Sequence, residues 1–419
     1  MEPIFKTPDD GHYFFAYYDK SPLDFDDKKL LAMRVGFMDK MPTKDDILEI
    51  GYFDWKISNN FIKLAETKAW NWQQGCMLQW LGPDFKKKII FNDRIDNKFV
   101  SVIMDIKTGE KCILPLAIYS VSTDGKYALC IDNERHFWFR SGYSYQGIKN
   151  ADKNKPLDKN DGIWLLNIEE EEYKQIINIT DLLKINPLSN MKGAKHYLEH
   201  LMFSPSGKRF CFLHRWQIAD GGIYARFYTA DIDGGDIFLL NDSGRMSHFC
   251  WKNEEEILAW CGLPTCVNKL RRYKNVVKFF VKPFLPLYHI LISSGSQLSS
   301  MVTGDSYVLF KDKTINKKRI AADQLIEDGH PSFCPANPDL FVSDTYQDEE
   351  NFRKLFLFDI NKNNILDKIL LKSNLEFDAT AMRCDLHPKW SYSGKYISVD
   401  TMNEGFRQMY VIENEFFEN

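Results

Sequence analysis

The sequence has no long apolar run: none reaches the ~20 residues of a spanning helix. The stretch from Met1 to Asp10 carries acids and prolines and no apolar core, so no signal peptide is expected. There is no surplus of basic charge. The 54 Lys+Arg stand against 58 Asp+Glu, a net −4, which argues against nucleic acid as a partner. The nine cysteines are odd in number and lack framework spacing. They read as reduced thiols, and the expected location is cytoplasmic. Cys261 and Cys266 form a C-x4-C with no second pair, which is too little for a structural zinc. Long segments of helical period are few. No Rossmann-like βα pattern supports a sugar-nucleotide site. Extended disorder is excluded by the 44% hydrophobic and 14% aromatic content.

What the chain does have is a repeat. A polar residue is followed by an apolar or aromatic step, a Ser-Pro-x-Gly-like turn and a β-rich run. The clearest copies are His200-Leu-Met-Phe-Ser-Pro-Ser-Gly207 and His387-Pro-Lys-Trp-Ser-Tyr-Ser-Gly394. Further copies begin at Tyr119, His330, His248 and Gln79, and a weaker one runs from Tyr18 to Pro22 into Leu30-Leu-Ala-Met33. Each reads as two antiparallel strands around a tight turn, with a third strand after most copies. Seven such sheets in series predict an all-β, seven-bladed β-propeller, one domain over residues 1–419. About 60 residues per copy exceeds the ~40–45 of WD-type repeats, so insertions are expected. The last copy has too few strands after it, and a strand around Pro3 to Lys6 is expected to complete that blade.

The first strand of a propeller blade is innermost, and the second returns to the same mouth. The leading residue of each copy and the one ~13–14 positions later therefore share a rim. Four of the nine histidines, His200, His248, His330 and His387, hold the leading position in four successive copies. Two readings stand. Each His could satisfy a local loop carbonyl. Alternatively the set converges as a metal or acid–base site, where imidazoles suit Zn or Mn and an added carboxylate suits Mn. Arg94, His214 and Arg215 occupy second positions on the rim. The stretch Arg135 to Tyr145 is rich in aromatic and cationic groups, and Arg140, Tyr143 and Tyr145 are its candidates for sugar recognition.

His200 to Arg209 and His387 to Tyr396 resemble the blade motifs of oligogalacturonate lyases and related seven-bladed polysaccharide lyases. Gly11-His-Tyr-Phe-Phe-Ala-Tyr-Tyr-Asp-Lys-Ser-Pro22 and Glu404-Gly-Phe-Arg-Gln408 resemble the ends of a bacterial propeller group found with surface-polysaccharide genes. The resemblance implies β-elimination on uronate polymers. That chemistry needs the carboxylate neutralised, the neighbouring proton removed and the leaving oxygen protonated. It implies His200 as base, with Tyr119 and Arg215 as further catalytic candidates. His248 and His330 would hold a divalent metal, Mn or Zn, with Asp328 or Glu327 standing in for the family's additional ligands. Arg94, Arg140, His214, Tyr143, Tyr145 and His387 remain for the substrate, an acidic oligosaccharide or polysaccharide.

One segment stands apart. Residues 257–304 contain no acid and six cations, Lys269, Arg271, Arg272, Lys274, Lys278 and Lys282, so the rest of this −4 chain carries −10. An apolar run from Val276 to Ile292 overlaps them. Residues 262–303 are expected as an insertion between blades five and six. They fit a segment lying on an anionic membrane surface, which would be the inner face of the membrane for a cytoplasmic protein. A lid or a partner-binding patch fits equally. Two function classes follow: an enzyme acting on acidic glycans in surface-polysaccharide metabolism, and a non-catalytic scaffold for glycan-assembly enzymes at the membrane.

Overall fold

Three of the repeated turns close in the same way. The amides of Gly125 and Gly207 donate to Ser122 O and Ser204 O at 2.8 Å, and that of Gly394 to Ser391 O at 3.0 Å. The three glycines have φ of 72°, 71° and 77°, where a side chain is strained. At Gly125 an added Cβ would also come within 2.2 Å of Gly82 O in the preceding blade. The computed structural model describes residues 1–148, 155–262, 304–378 and 380–417. Within them lie seven four-stranded antiparallel sheets, a seven-bladed β-propeller.

Blade four shows how sequence becomes sheet. Its strands are Lys195–Phe203, Arg209–Gln217, Ile223–Asp231 and Phe238–Gly244. The second is buried at nearly every position because both of its faces meet neighbouring blades, so polar–apolar alternation is lost. Outer strands are different. Asn364–Lys372 is buried only at Leu371 and carries Asp and Lys along a free edge, which discourages pairing with other chains. Tryptophans of the repeat fasten blade to blade. Trp80 Nε1 donates to Pro22 O at 2.9 Å, Trp251 to Met202 O at 3.3 Å and Trp390 to Ser332 O at 2.8 Å. Each buries a large ring and still satisfies its N–H.

The ring closes as the sequence predicts: Pro3–Lys6 pairs with Gln408–Glu413 as the fourth strand of blade seven. Three placements differ from expectation. The inner strand of blade one is His12–Phe14, paired with Leu30–Val35, upstream of the expected turn at Tyr18. The residues after it are thereby freed to cross the channel. The insertion expected at 262–303 starts and ends within blade five, because Glu256–Gly262 pairs directly with Asp305–Lys311. It does not separate blades five and six. Apart from Gly262, its residues lie outside those described, as does the basic and apolar run within it. The aromatic stretch after blade three's second strand contains a helix, Asn133–Phe139, capped by the Asp132 carboxylate on Arg135 N–H.

Candidate functional site

The four histidines of the repeat meet in the channel. Ring centroids are 6.4 Å apart for His200 and His248, 4.0 Å for His248 and His330, and 4.3 Å for His330 and His387. The backbone bends to deliver them. His200 and His387 have φ of 53° and 43°, and the pairing of blade four's first two strands slips between Glu199 and Met202. Such a bulge re-aims side chains that regular alternation would send to opposite faces. It brings the adjacent Glu199 and His200 into the same cluster.

One side of the cluster has the features of a cation site. Ligand atoms of His330, Asp385 and His387 lie within 4.8 Å of one another. Asp344 Oδ1 sits 2.8 Å from both the backbone N and Nδ1 of His330, which leaves Nε2 buried without a hydrogen-bond partner. His248 is held likewise, with Nδ1 3.2 Å from Asp328 Oδ1. Carboxylates on Nδ1 are the usual outer partners of metal-ligating histidines, since they fix the tautomer that presents Nε2. Burial lowers His248, and it lowers His387 well below 6.5, so both are neutral and able to ligate near pH 7. Burial alone would raise Asp385, but Arg353 and Arg383, at 2.9 Å and 2.7 Å, hold its carboxyl below the usual range. The donor set fits a divalent cation.

The other side is a buried cluster of charged and titratable groups around Glu199. Its side chain is fully buried among Arg215, Arg140 and His136, the last two at 3.2 Å, and His200 Nε2 at 3.5 Å. Burial opposes its ionisation, yet Arg140 and Arg215 carry it well below the usual carboxylate range. His200 is driven well below 6.5 by burial despite this neighbour. Its Nδ1 lies 2.5 Å from Tyr17 Oη and 3.4 Å from Tyr119 Oη. Arg140 and Arg215 keep 23% and 14% of their side chains open to solvent, where an anion could reach them.

The structure thus brings His200, Tyr119, Arg215, Arg140, His248, His330 and His387 together. Tyr143 joins them, its ring 6.1 Å from His200 and its hydroxyl accepting from Arg383 at 2.7 Å. Asp328 stands behind His248, and Glu327, two residues ahead of Gly329, is outside the trio. Three expected residues sit elsewhere. Arg94 braces loops by donating to Gln146 O and Lys44 O at 2.8 Å and 2.6 Å. His214 is buried against His196, Nε2 to Nδ1 3.0 Å, because it points away from its neighbour Arg215 on the strand. Tyr145 packs against Phe99 and accepts from Asn92.

Sequence reasoning missed Tyr17, Glu199, Arg383 and Asp385, and used Tyr18 only to mark a repeat. Tyr18 Oη donates to Phe249 O at 2.8 Å and accepts from Phe249 N–H at 3.0 Å. Its ring lies 5.8 Å from His248 and 5.3 Å from His330. Blade one thus sends Tyr17 and Tyr18 across the channel. The available signal was adjacency: Glu199 and Asp385 lie one and two residues before leading histidines.

No family model matches the sequence, and no curated protein matches it. Solved structures do. An oligogalacturonate lyase in complex with manganese is 13% identical with a TM-score of 0.62, over 99% of this chain and 93% of its own. An oligogalacturonate lyase from Vibrio parahaemolyticus is 12% identical with a TM-score of 0.58, over 98% and 93%. A prolyl endopeptidase is 9% identical with a TM-score of 0.53, over 96% of this chain and 48% of that one. At these identities the likeness is one of fold, and function rests on the site.

Proposed function

We propose that the protein acts on acidic, uronate-containing glycans at the histidine-lined centre, cleaving them by β-elimination. The observation that carries this reading is the juxtaposition, in one channel, of a cation-binding donor set with a buried neutral histidine backed by Glu199. Elimination next to a carboxylate needs both: one neutralises the acid, the other handles the proton. Its likeness in fold to two oligogalacturonate lyases supports the same class of chemistry. His330, His387 and Asp385 would hold a divalent cation, with His248 beside them. When bound, such an ion would polarise the substrate carboxylate. Arg140 and Arg215 would orient that carboxylate or a neighbouring one from the open side. Tyr143, fixed by Arg383 and lying under the Arg140 guanidinium 4.0 Å away, offers a ring face and hydroxyl to a sugar. The test is incubation with uronate oligosaccharides and manganese: a new ultraviolet absorbance from an unsaturated uronate supports the reading, and none on any uronate tested removes it.

A second reading rests on sequence alone. The cations and apolar residues of Lys269 to Ile292 favour docking on anionic lipid, which would make the protein a peripheral scaffold for glycan assembly at the inner face of the membrane. Co-sedimentation with anionic vesicles, weakening as salt rises, supports it. A protein that stays in solution at low ionic strength contradicts it.

A further inference from the structure

We propose that Tyr17 is a catalytic residue, the hydroxyl that meets the substrate's proton, with His200 and Glu199 behind it as a relay. The proposal deepens the elimination reading above and rests on it. A tyrosine hydroxyl has one proton to give and two lone pairs to receive. Tyr119 Oη already receives two donors, Gln74 Nε2 at 2.8 Å and the His200 backbone N–H at 2.9 Å. Its own proton is left for His200 Nδ1, 3.4 Å away. Tyr17 Oη, 2.5 Å from the same nitrogen, has no other hydrogen bond among the described residues. The Tyr119 proton thus has only Nδ1 to meet, and the geometry favours the tautomer in which Nδ1 carries the lone pair and Tyr17 donates to it as well. The ring proton then belongs to Nε2, which faces the Glu199 carboxylate at 3.5 Å.

The basic nitrogen of His200 is thus covered by the Tyr17 hydroxyl, so in this proposal the substrate's proton passes to the phenol and not directly to the imidazole. Tyr17, His200 and Glu199 line up as hydroxyl, imidazole and carboxylate, an order in which the carboxylate fixes the tautomer and stabilises the imidazolium that forms. Tyr17 is also where the two halves of the site meet. Its ring lies 5.4 Å from His200 and 5.5 Å from His387 of the cation set.

In one concerted transfer the Tyr17 oxygen takes the proton from the carbon adjacent to the substrate carboxylate as its own hydroxyl proton passes to His200 Nδ1, so no free phenolate forms and the imidazolium arises beside Glu199. The electron pair of that C–H bond becomes the new C=C bond, and the neighbouring C–O bond breaks. The departing oxygen takes a proton from the Tyr17 hydroxyl, which recovers its own from His200 Nδ1. Tyr17 ends as a neutral phenol and His200 as a neutral imidazole.

Two measurements test this. The first uses metal-free wild-type protein with 15N-labelled histidine, the His200 signal being identified by its loss in His200→Gln. A neutral ring protonated on Nε2 is expected, and a ring protonated on Nδ1 overturns the relay. The second is Tyr17→Phe. Its kcat on a uronate oligosaccharide should fall about 100-fold or more, with KM moved less than about threefold and manganese affinity retained. A kcat within about threefold of wild type overturns the role of Tyr17. Should Tyr17→Phe not fold, the tautomer measurement on wild type still decides. If wild type makes no unsaturated product from any uronate, the elimination reading fails, whereas the His200 tautomer still reports on the relay itself.

Discussion

The carboxylate of Asp344 touches His330 twice, at Nδ1 and at the backbone amide, both at 2.8 Å. Its second oxygen accepts from the His387 backbone N–H at 3.2 Å. One buried acid from blade six thus sets the orientation of one histidine and anchors the strand start of another. His330 and Asp344 are 14 residues apart, the leading and second positions of one repeat.

Asp344→Asn should weaken manganese binding by about 10–100-fold, the usual cost of losing an outer partner of a ligating histidine. Calorimetric titration of manganese alone into the metal-free protein measures this. Affinity equal to wild type would mean that His330 is not a ligand.

Glu199→Gln should destabilise the fold by about 3 kcal/mol, since it strands Arg140 and Arg215 beside a neutral amide in a buried site. Urea unfolding of the two proteins would show it. A change below about 0.5 kcal/mol, the scale of a surface substitution, would mean that the guanidiniums are satisfied by solvent instead.

Acid should destabilise the protein from pH 6.5 downward. Burial holds His200 and His214 well below their usual 6.5 and lowers His196 as well. Between the folded and unfolded values the unfolded chain binds more protons, so stability is complete above 6.5 and is lost as pH falls. Each such histidine contributes a slope of up to about 1.4 kcal/mol per pH unit. Buried carboxyls work in the opposite direction: Asp161, lifted to about 7 chiefly by burial, and Asp27, Asp132, Glu134, Glu327 and Asp400, which burial also raises. Denaturation midpoints at pH 7.5 and 5.5 should therefore differ, the lower one at 5.5. Equal midpoints would show that these rings are hydrated in the native state.

Blades three, four and seven were legible because their Ser-x-x-Gly turn recurs with the same closure, and His248 and His330 because each leads an apolar or aromatic step into a β-rich run in the same order. The strand from Pro3 was legible because blade seven otherwise lacks an outer strand. What sequence could not reveal is where the backbone breaks period. Alternation sends Glu199 and His200 to opposite faces, and only the bulge with His200 at φ 53° gathers both. Ala16, at φ 71°, turns blade one so that Tyr17 and Tyr18 cross the channel, and nothing about an alanine announces a left-handed residue. His214 and Tyr145 failed to reach the site for the complementary reason: being polar or aromatic near a rim does not fix which face of a strand or loop a side chain occupies.

The central claim is that this channel eliminates across a uronate, with His200 handling the proton. Its most direct test is ultraviolet absorbance on uronate oligosaccharides with manganese, comparing wild type with His200→Ala. Wild type should generate an unsaturated uronate, and the variant should lose at least about 100-fold in kcat. No absorbance from wild type, or equal rates from both proteins, would contradict the account.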